Sequence, residues 1–461
     1  MRVLSSVQTP RRQVVRRVQN AVIVLLACLR AAPAVAQQAG SVPFETYTLP
    51  NGLQVVLSED HSTPIVTVNL WYHVGAANEV PGRTGFAHLF EHMMFQGSAN
   101  VRKAEHFQLV ERSGGGLNAS TNWDFTNYYE TVPSNRLNLA LWLEADRMRS
   151  LVVNQENLAN QRQAVQEELR LRIDNQPYSR AIWEGFSQPF DSAGCFAYGH
   201  LLAGSMQDLD SARVEDVDAF FRQYYAPNNV TLVVSGDFDP VGARRLIEQF
   251  FGGVPRQSDP PATRCEFQFG SVGRRVERTD RNANIPAVSF FFPSPPRNAP
   301  DAPAFDLVTS ILYDGESSRL NRRLVRAERA ALAVQGFGFQ RRGPGVVFSL
   351  AVANAGVPTA RIEELMAEEV AKLGTDSIPH AELVKAQNQA RAAAIRNRQT
   401  TFGKAEALQA ALFIDGDLES VNTEIERYMR VTTADLRRVA QRYLAPENRL
   451  TVIVNPPAGG N

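Results

Sequence analysis

The sequence predicts an α+β protein built from two copies of one α/β domain. Residues 221–229 (FRQYYAPNN) are echoed 219 positions later by residues 440–448 (AQRYLAPEN). In both copies a helical pattern precedes the Ala-Pro pair, which stops the helix, and an apolar β-rich run follows at 230–234 and 450–454. A helix–Ala-Pro–strand unit that recurs this far apart indicates duplication of a whole domain.

The individual elements follow from local patterns. The first copy opens with strand patterns at 44–49, 53–57 and 64–72, and the Asn51-Gly52 pair predicts a tight turn between the first two. The second copy shows a strand at 287–292 and helices at 304–312 and 361–373. Because residues 253–273 are rich in Pro and Gly, they are the predicted linker between domains 41–252 and 274–457.

Residues 1–36 have the features of a signal peptide. A basic start precedes a short apolar run at 21–29, and Ala34-Val35-Ala36 forms an A-x-A cleavage site. The apolar run is too short to span a bilayer, so we expect an exported, periplasmic chain without a transmembrane segment after cleavage. A lipoprotein anchored through Cys28 is the alternative.

Charge and cysteine content bear on the possible partners of this protein and on whether it can form a disulfide. The leader holds six arginines and no acidic residue, which leaves the mature chain with a net charge of about −6. This balance argues against nucleic acid as a partner. Cys195 and Cys265 remain after cleavage and could pair in an oxidising compartment, but the sequence does not show whether they lie close together.

The segment from His88 to His92 carries the chemistry. It reads H-x-x-E-H, the reverse of the H-E-x-x-H zinc motif. On a helix, His88 and His92 lie one turn apart on one face with Glu91 beside them, so two imidazoles can hold one metal ion next to a carboxylate. A catalytic zinc ion takes three protein ligands and keeps a position for water, whose proton Glu91 is placed to accept as general base.

The chain resembles the pitrilysin/insulinase family of zinc metallopeptidases, in its short bacterial two-domain branch. The resemblance covers nearly the whole mature chain and is carried by Gly85–Phe95, Gly114–Thr121, Asp124–Tyr128 and Gln161–Arg170. It implies two tandem homologous α/β-sandwich domains, each an antiparallel-rich sheet covered by helices. It also implies one Zn²⁺ per chain and a second domain that is non-catalytic.

The resemblance places the third zinc ligand on a later helix. Glu167 and Glu168 stand there side by side, and adjacent helical residues point about 100° apart, so only one of them reaches the ion. Spacing alone does not choose between them, whereas alignment of Gln161, Arg162 and Val165 with the family pattern selects Glu168. Gln161 itself occupies the position of a family glutamate that lies behind the third ligand, where an amide can still orient that ligand.

Two further expectations follow from the resemblance. Asn118 and Ala119 fall on an edge strand beside the metal, where an extended peptide substrate would add through main-chain hydrogen bonds. In the second domain, Val325 and Leu332 stand where single-chain relatives present an Arg and a Tyr to the transition state, with Arg326 as a shifted substitute. We therefore expect a second, related subunit without the zinc motif to supply these donors, or else a homodimer.

Together these features predict a zinc endopeptidase that cleaves peptides or unfolded segments within an enclosed chamber. Two alternatives remain open at this point. The chain would otherwise be a non-catalytic assembly subunit of the same family, or a metal-dependent protein that binds peptides without cutting them.

Overall fold

A computed structural model describes residues 41–190 and 194–458, so the predicted signal peptide and Cys28 lie outside the described residues. The described chain contains two mixed β-sheets, which confirms the predicted α+β class. The strands of the first sheet are β1 (Glu45–Thr48), β2 (Gln54–Glu59), β3 (Ile65–Tyr72), β4 (Gly116–Thr121), β5 (Thr126–Pro133) and β6 (Val230–Gly236). The strands of the second are β7 (Arg274–Thr279), β8 (Ala287–Ser294), β9 (Ala331–Phe339), β10 (Gly345–Ala353) and β11 (Leu450–Asn455).

The two sheets repeat one topology. The first runs β1-β2-β6-β3-β5-β4 and the second β7-β11-β8-β10-β9. In each, one pair is parallel (β2 with β6, β7 with β11) and the other pairs are antiparallel. The repeat read from the two Ala-Pro segments therefore extends through the sheet order, and both sheets end in an antiparallel edge strand, β4 or β9.

Helices cover both sheets. Those before the second sheet are α1 (Phe86–Met93), α2 (Glu105–Arg112), α3 (Leu137–Ser150), α4 (Gln155–Leu169), α5 (Ser179–Gly185), α6 (Met206–Ser211), α7 (Val214–Tyr224) and α8 (Pro240–Phe251). The later ones are α9 (Ala302–Tyr313), α10 (Thr359–Thr375), α11 (His380–Asn397), α12 (Thr401–Gln409), α13 (Ser420–Met429) and α14 (Thr433–Tyr443). Among the described helices, none is long and apolar enough to cross a membrane.

The central strand β3 shows how the first sheet is buried on both faces. Its residues Val66, Val68 and Leu70 belong to a core that includes residues of α1, α3, α4, α7 and α8. The alternate residues point to α12, which comes from the second half of the chain. Thr67 there hydrogen-bonds Thr401 at 2.7 Å, and the Asn69 amide donates to Glu406 at 2.7 Å.

The second sheet is covered in return by the first half of the chain. Phe186, directly after α5, packs edge-on against Phe291 of β8 at a ring separation of 5.6 Å. Gly185 permits this approach, because a Cβ atom there would lie 2.1 Å from the Phe291 ring. The sequence boundary at 253–273 thus separates the two sheets but not their covering helices, which the two halves exchange.

A disulfide joins Cys195 to Cys265 across 70 residues, with their Cα atoms 4.1 Å apart. The sequence alone did not show whether these two cysteines lie close together, and the structure shows that they do. Cys195 is buried in a cluster with Phe186, Phe190 and residues of the second sheet. The bridge therefore ties the loop after α5 to the segment that connects the two sheets.

Candidate metal centre

Helix α1 presents His88 and Glu91 to a cavity, with His92 next to them. Its apolar residues Phe86, Leu89, Phe90 and Met93 are buried in the core, which leaves His88, Glu91 and His92 on the opposite side. The rings of His88 and His92 lie 5.0 Å apart. The helix begins after Gly85, whose φ of 87° and close approach to the Ala203 carbonyl oxygen (2.8 Å from a Cβ placed there) both favour glycine.

Helix α4 brings Glu168 to the two histidines. Its Oε2 atom lies 3.2 Å from His92 Nε2 and 3.7 Å from His88 Nε2. Ligand atoms of a tetrahedral zinc ion with bonds of about 2.0–2.1 Å lie roughly 3.3 Å apart. The separations and the two-imidazole, one-carboxylate donor set therefore both fit zinc.

The protonation states of these groups favour metal binding as well. The pKa of Glu168 is lowered to about 2, chiefly by the hydrogen bond to His92, with smaller contributions from His88 and Arg172. Burial, together with the neighbouring His92, lowers the pKa of His88 to about 4. Because a metal binds the carboxylate and the neutral imidazole, both shifts keep these ligands ready for an ion at neutral pH.

Glu167 points away from the cavity. Its side chain is 58% exposed and pairs with Arg170 at 3.1 Å. Of the two adjacent glutamates, the structure brings only Glu168 to the histidines.

Glu91 lies in the wall of the same cavity. Its Oε2 accepts a hydrogen bond from the Thr121 hydroxyl at 2.7 Å. Burial raises the pKa of Glu91, although the Thr121 hydrogen bond opposes this effect. A carboxylate with a raised pKa is a better proton acceptor than an exposed one at neutral pH.

The cavity beside these residues is mainly apolar. Its volume is about 240 Å³. Besides His88, Glu91 and Glu168, its wall includes Leu169, Ile173, Trp183, Leu201, Leu202 and Ala119. A pocket of this composition accepts one apolar side chain next to a polar reaction centre.

Of the two predicted substrate-binding residues, Ala119 lines the cavity and Asn118 does not. Both belong to edge strand β4, which hydrogen-bonds to β5 on one side. In the described part of the chain no strand pairs with its other side. Asn118 is exposed, and its side-chain oxygen accepts a hydrogen bond from the Ala119 backbone N–H at 2.9 Å.

A different residue from Gln161 contacts the third ligand. Within the described residues, the half-buried side chain of Gln161 forms no hydrogen bond. Instead Arg172 Nη1 lies 2.7 Å from Glu168 Oε1. Sequence reasoning missed Arg172, although its spacing of four residues from Glu168 on a helix could have pointed to this pair.

Sequence reasoning also missed the residues that hold the start of α1. The carboxylate of Glu79 accepts the backbone N–H groups of Gly85 (2.9 Å) and Ala87 (2.8 Å) and lies 3.0 Å from His200 Nε2. These N–H groups belong to the helix terminus, where an anion is favourable. Nothing local in the sequence marks Glu79 for this role, because its partners lie up to 121 residues away.

The three second-domain residues that the sequence analysis singled out, Val325, Arg326 and Leu332, lie away from the cavity beside His88 and Glu168. Val325 packs against the core of the second half, Leu332 is 52% exposed on β9, and Arg326 pairs with Glu316. None of the three lines the cavity beside His88 and Glu168. The donors expected from these positions in single-chain relatives are therefore not found at this cavity.

A second histidine–carboxylate group is a buried ionic network. His106, Glu130 and Glu144 approach one another in the core of the first half. Glu144 accepts hydrogen bonds from Nε (2.9 Å) and Nη2 of the buried Arg147, and Nε2 of His106 contacts Glu130. Burial raises the pKa of Glu130 and of Glu144 to about 7. Both oxygens of Glu144 are thus bound to Arg147 and Oε1 of Glu130 contacts His106, while the buried Oε2 of Glu130 has no hydrogen-bond partner among the described residues.

Comparison with known proteins matches both halves. Residues 54–181 fit the family described as insulinase (peptidase family M16), and residues 211–390 fit the one described as peptidase M16 inactive domain. The zinc protease PqqE of Helicobacter pylori is 28% identical over 416 residues, 89% of this chain and 93% of that protein.

Solved structures show the same similarity. The crystal structure of a protease from Helicobacter pylori has a TM-score of 0.85 and 27% identity, over 90% of this chain and all of the other. The periplasmic protease PqqL of Escherichia coli has a TM-score of 0.74 and 17% identity, over 92% of this chain but 48% of its own length. At 17% identity the second likeness supports the fold alone.

Proposed function

The chain belongs to the M16 (insulinase) family of peptidases, as its motifs predicted, and on this premise we propose that it is a zinc-dependent endopeptidase. The observation that carries the proposal is the placement of His88, His92 and Glu168 at zinc-ligand separations beside Glu91. The substrates we propose are peptides or unfolded segments.

Each residue has a distinct task in the proposed reaction. His88, His92 and Glu168 hold the ion, which supplies Lewis acidity by lowering the pKa of water to about 7 and polarising the peptide carbonyl. Glu91 accepts the proton of the attacking water and then passes it to the leaving amine. Thr121 holds one oxygen of Glu91 at 2.7 Å, which leaves the other oxygen free for this proton.

Substrate binding follows from the edge strand and the cavity. An extended peptide added to β4 at Asn118 and Ala119 would run past the metal-binding residues, with its backbone recognised by main-chain hydrogen bonds. The apolar wall at Trp183, Leu201 and Leu202 favours an apolar side chain next to the cleaved bond. Because edge pairing needs an extended backbone, folded proteins would be poor substrates.

The proposed active form contains a second chain. The cavity receives no side chain from Val325, Arg326 or Leu332, so donors for the oxyanion would come from a related subunit lacking the zinc motif, with a homodimer as the alternative. The Escherichia coli protein with this fold is about twice as long as the matched region, since this chain covers 48% of its length.

The proposed location is the periplasm. The basic, apolar and A-x-A segments of residues 1–36 motivate export, and a relative of the same fold is described as periplasmic. A disulfide between Cys195 and Cys265 is compatible with an oxidising compartment. Finding an acylated Cys28 at the mature N-terminus would favour the lipoprotein form instead.

The direct test is metal content together with peptide turnover. We expect about one zinc per chain, and cleavage of unstructured peptides that a chelator abolishes and added zinc restores. Turnover should be measured with and without the related subunit. Zinc binding without cleavage in both preparations would contradict the proposal and leave a peptide-binding or assembly role.

A further inference from the structure

Arg172 contacts a candidate metal ligand from outside the metal centre. It lies in a π-helical turn, Arg170–Asp174, that continues α4 directly after Leu169. Its Nη1 atom is 2.7 Å from Oε1 of Glu168, and its side chain is 78% exposed at the mouth of the cavity. The chemistry assigned above gives it no task.

We propose that Arg172 is a positioning residue that holds Glu168 as a one-oxygen zinc ligand. The inference rests on the proposed zinc function. The two oxygens of Glu168 have different partners: Oε1 faces Arg172, while Oε2 faces His92 at 3.2 Å and His88 at 3.7 Å. With Oε1 paired to Arg172, Oε2 is the oxygen directed at the two histidines, so Glu168 would offer that one oxygen to an ion held there.

Other candidates for this orienting role are not in contact with a ligand side chain. Gln161 forms no side-chain hydrogen bond among the described residues. Nδ1 of His88 is buried without a hydrogen-bond partner there, so that imidazole is oriented by packing alone. Among the described residues, the Arg172–Glu168 contact is a polar interaction that engages the oxygen of Glu168 turned away from the histidines.

The exposure of Arg172 to solvent limits how much its contact with Glu168 adds to zinc affinity. Groups that orient metal ligands typically contribute about 10–100-fold to metal affinity. Because Arg172 is largely exposed and water screens its charge, we expect the lower end, about 10-fold. Arginine suits the task better than lysine, since its planar guanidinium can face a carboxylate in a fixed orientation.

The chain offers a matched control for the test. Arg170 lies in the same turn, is 53% exposed and pairs with Glu167, which does not contact the histidines. R172Q and R170Q remove the same charge by the same substitution, but only R172Q removes a contact to a proposed ligand. R172K keeps the charge and loses the planar geometry.

The readout is zinc affinity of the full mature chain, measured by competition with a chromophoric chelator, beside the melting temperature of the metal-free protein. We expect R172Q to weaken zinc binding about 10-fold, R172K to fall between R172Q and wild type, and R170Q to stay within twofold of wild type. The metal-free melting temperatures of R172Q and R170Q should agree.

Three results would overturn the inference. Equal zinc affinity in R172Q and R170Q would remove the positioning role while leaving the proposed zinc function intact. A lower metal-free melting temperature in R172Q than in R170Q, matching its loss of affinity, would make Arg172 a structural residue. A wild-type chain that binds no zinc would overturn the proposed function and this inference together.

Discussion

Replacing Glu168 or Glu167 by glutamine distinguishes a metal ligand from its neighbour on the same helix. Both substitutions replace one carboxylate oxygen by an amide nitrogen and leave the shape of the side chain almost unchanged. Glu168 lies 3.2 Å from His92 Nε2, whereas Glu167 is exposed and pairs with Arg170. We expect the Glu168→Gln variant to lose zinc and activity and the Glu167→Gln variant to keep both.

The expected magnitude follows from the number of ligands. Zinc sites with four protein ligands have apparent binding free energies of about 10–16 kcal/mol, or about 2.5–4 kcal/mol per ligand. Since 1.4 kcal/mol corresponds to a factor of ten, loss of Glu168 should raise the zinc dissociation constant roughly 10²–10³-fold. Loss of Glu167 removes an exposed ion pair, which contributes at most about 1 kcal/mol to stability and nothing to metal binding.

The assay is chelator competition on both variants, followed by metal analysis after dialysis and peptide turnover at saturating zinc. Circular dichroism checks that each variant is folded. If Glu167→Gln lost zinc and Glu168→Gln retained it, the assignment of the third ligand would be wrong by one residue. If neither variant lost zinc, the ion would not be bound by this helix at all.

Three further outcomes are expected. Because Val325 and Leu332 donate no side-chain hydrogen bond, turnover of an unstructured peptide should rise at least about 10²-fold when the related subunit is added; equal rates with and without it would direct attention to Arg326. Cys265→Ser opens a loop spanning 70 residues and should lower the free energy of unfolding by about 4 kcal/mol; unchanged urea stability under non-reducing conditions would contradict this. Burial lowers the pKa of His73 to about 3 in the folded chain, whereas the same histidine has a pKa near 6.5 in the unfolded chain. As the pH drops below about 6.5, the unfolded chain therefore takes up this proton before the folded chain does, and the free energy of unfolding falls. Between pH 6 and pH 4 the free energy of unfolding of the His73→Gln variant should fall less steeply than that of wild type, by about 1.4 kcal/mol per pH unit. Equal slopes for the two proteins in urea unfolding would refute this expectation.

Local sequence patterns were enough to predict most elements. The apolar runs at 230–234 and 450–454 became β6 and β11, and the helical patterns at 304–312 and 361–373 became α9 and α10. These elements follow from periodicity, which the sequence carries within a few residues. The helix of His88 and His92 was predicted for the same reason.

Contacts between distant residues were beyond this reasoning. Packing of α12 on the first sheet depends on pairs such as Thr67 with Thr401, which are 334 residues apart. The buried Glu79 binds the start of α1 and His200 only because the loop at 194–204 folds over it. In both cases a polar residue without local periodicity gains its role from burial, and burial is a property of the whole fold.

The alignment that selected Glu168 also placed Gln161 behind it, and the two expectations fared differently. Glu168 reaches the histidines, whereas the residue in contact with its second oxygen is Arg172. A family pattern transfers the position of a candidate ligand well, because a bound metal would constrain its geometry. Residues behind the ligand are replaceable by any donor that reaches the carboxylate, so their identity needs a structure.

The most direct test of the central claim is the Glu91→Gln variant, assayed for zinc content and peptide hydrolysis in the same preparation, with the related subunit present. Glutamine cannot accept the proton from the attacking water, but it leaves His88, His92 and Glu168 in place. We predict about one zinc per chain, as in wild type, and no detectable hydrolysis. Appreciable turnover by this variant, free of contaminating protease, would contradict the assignment of Glu91 as the general base of a zinc endopeptidase.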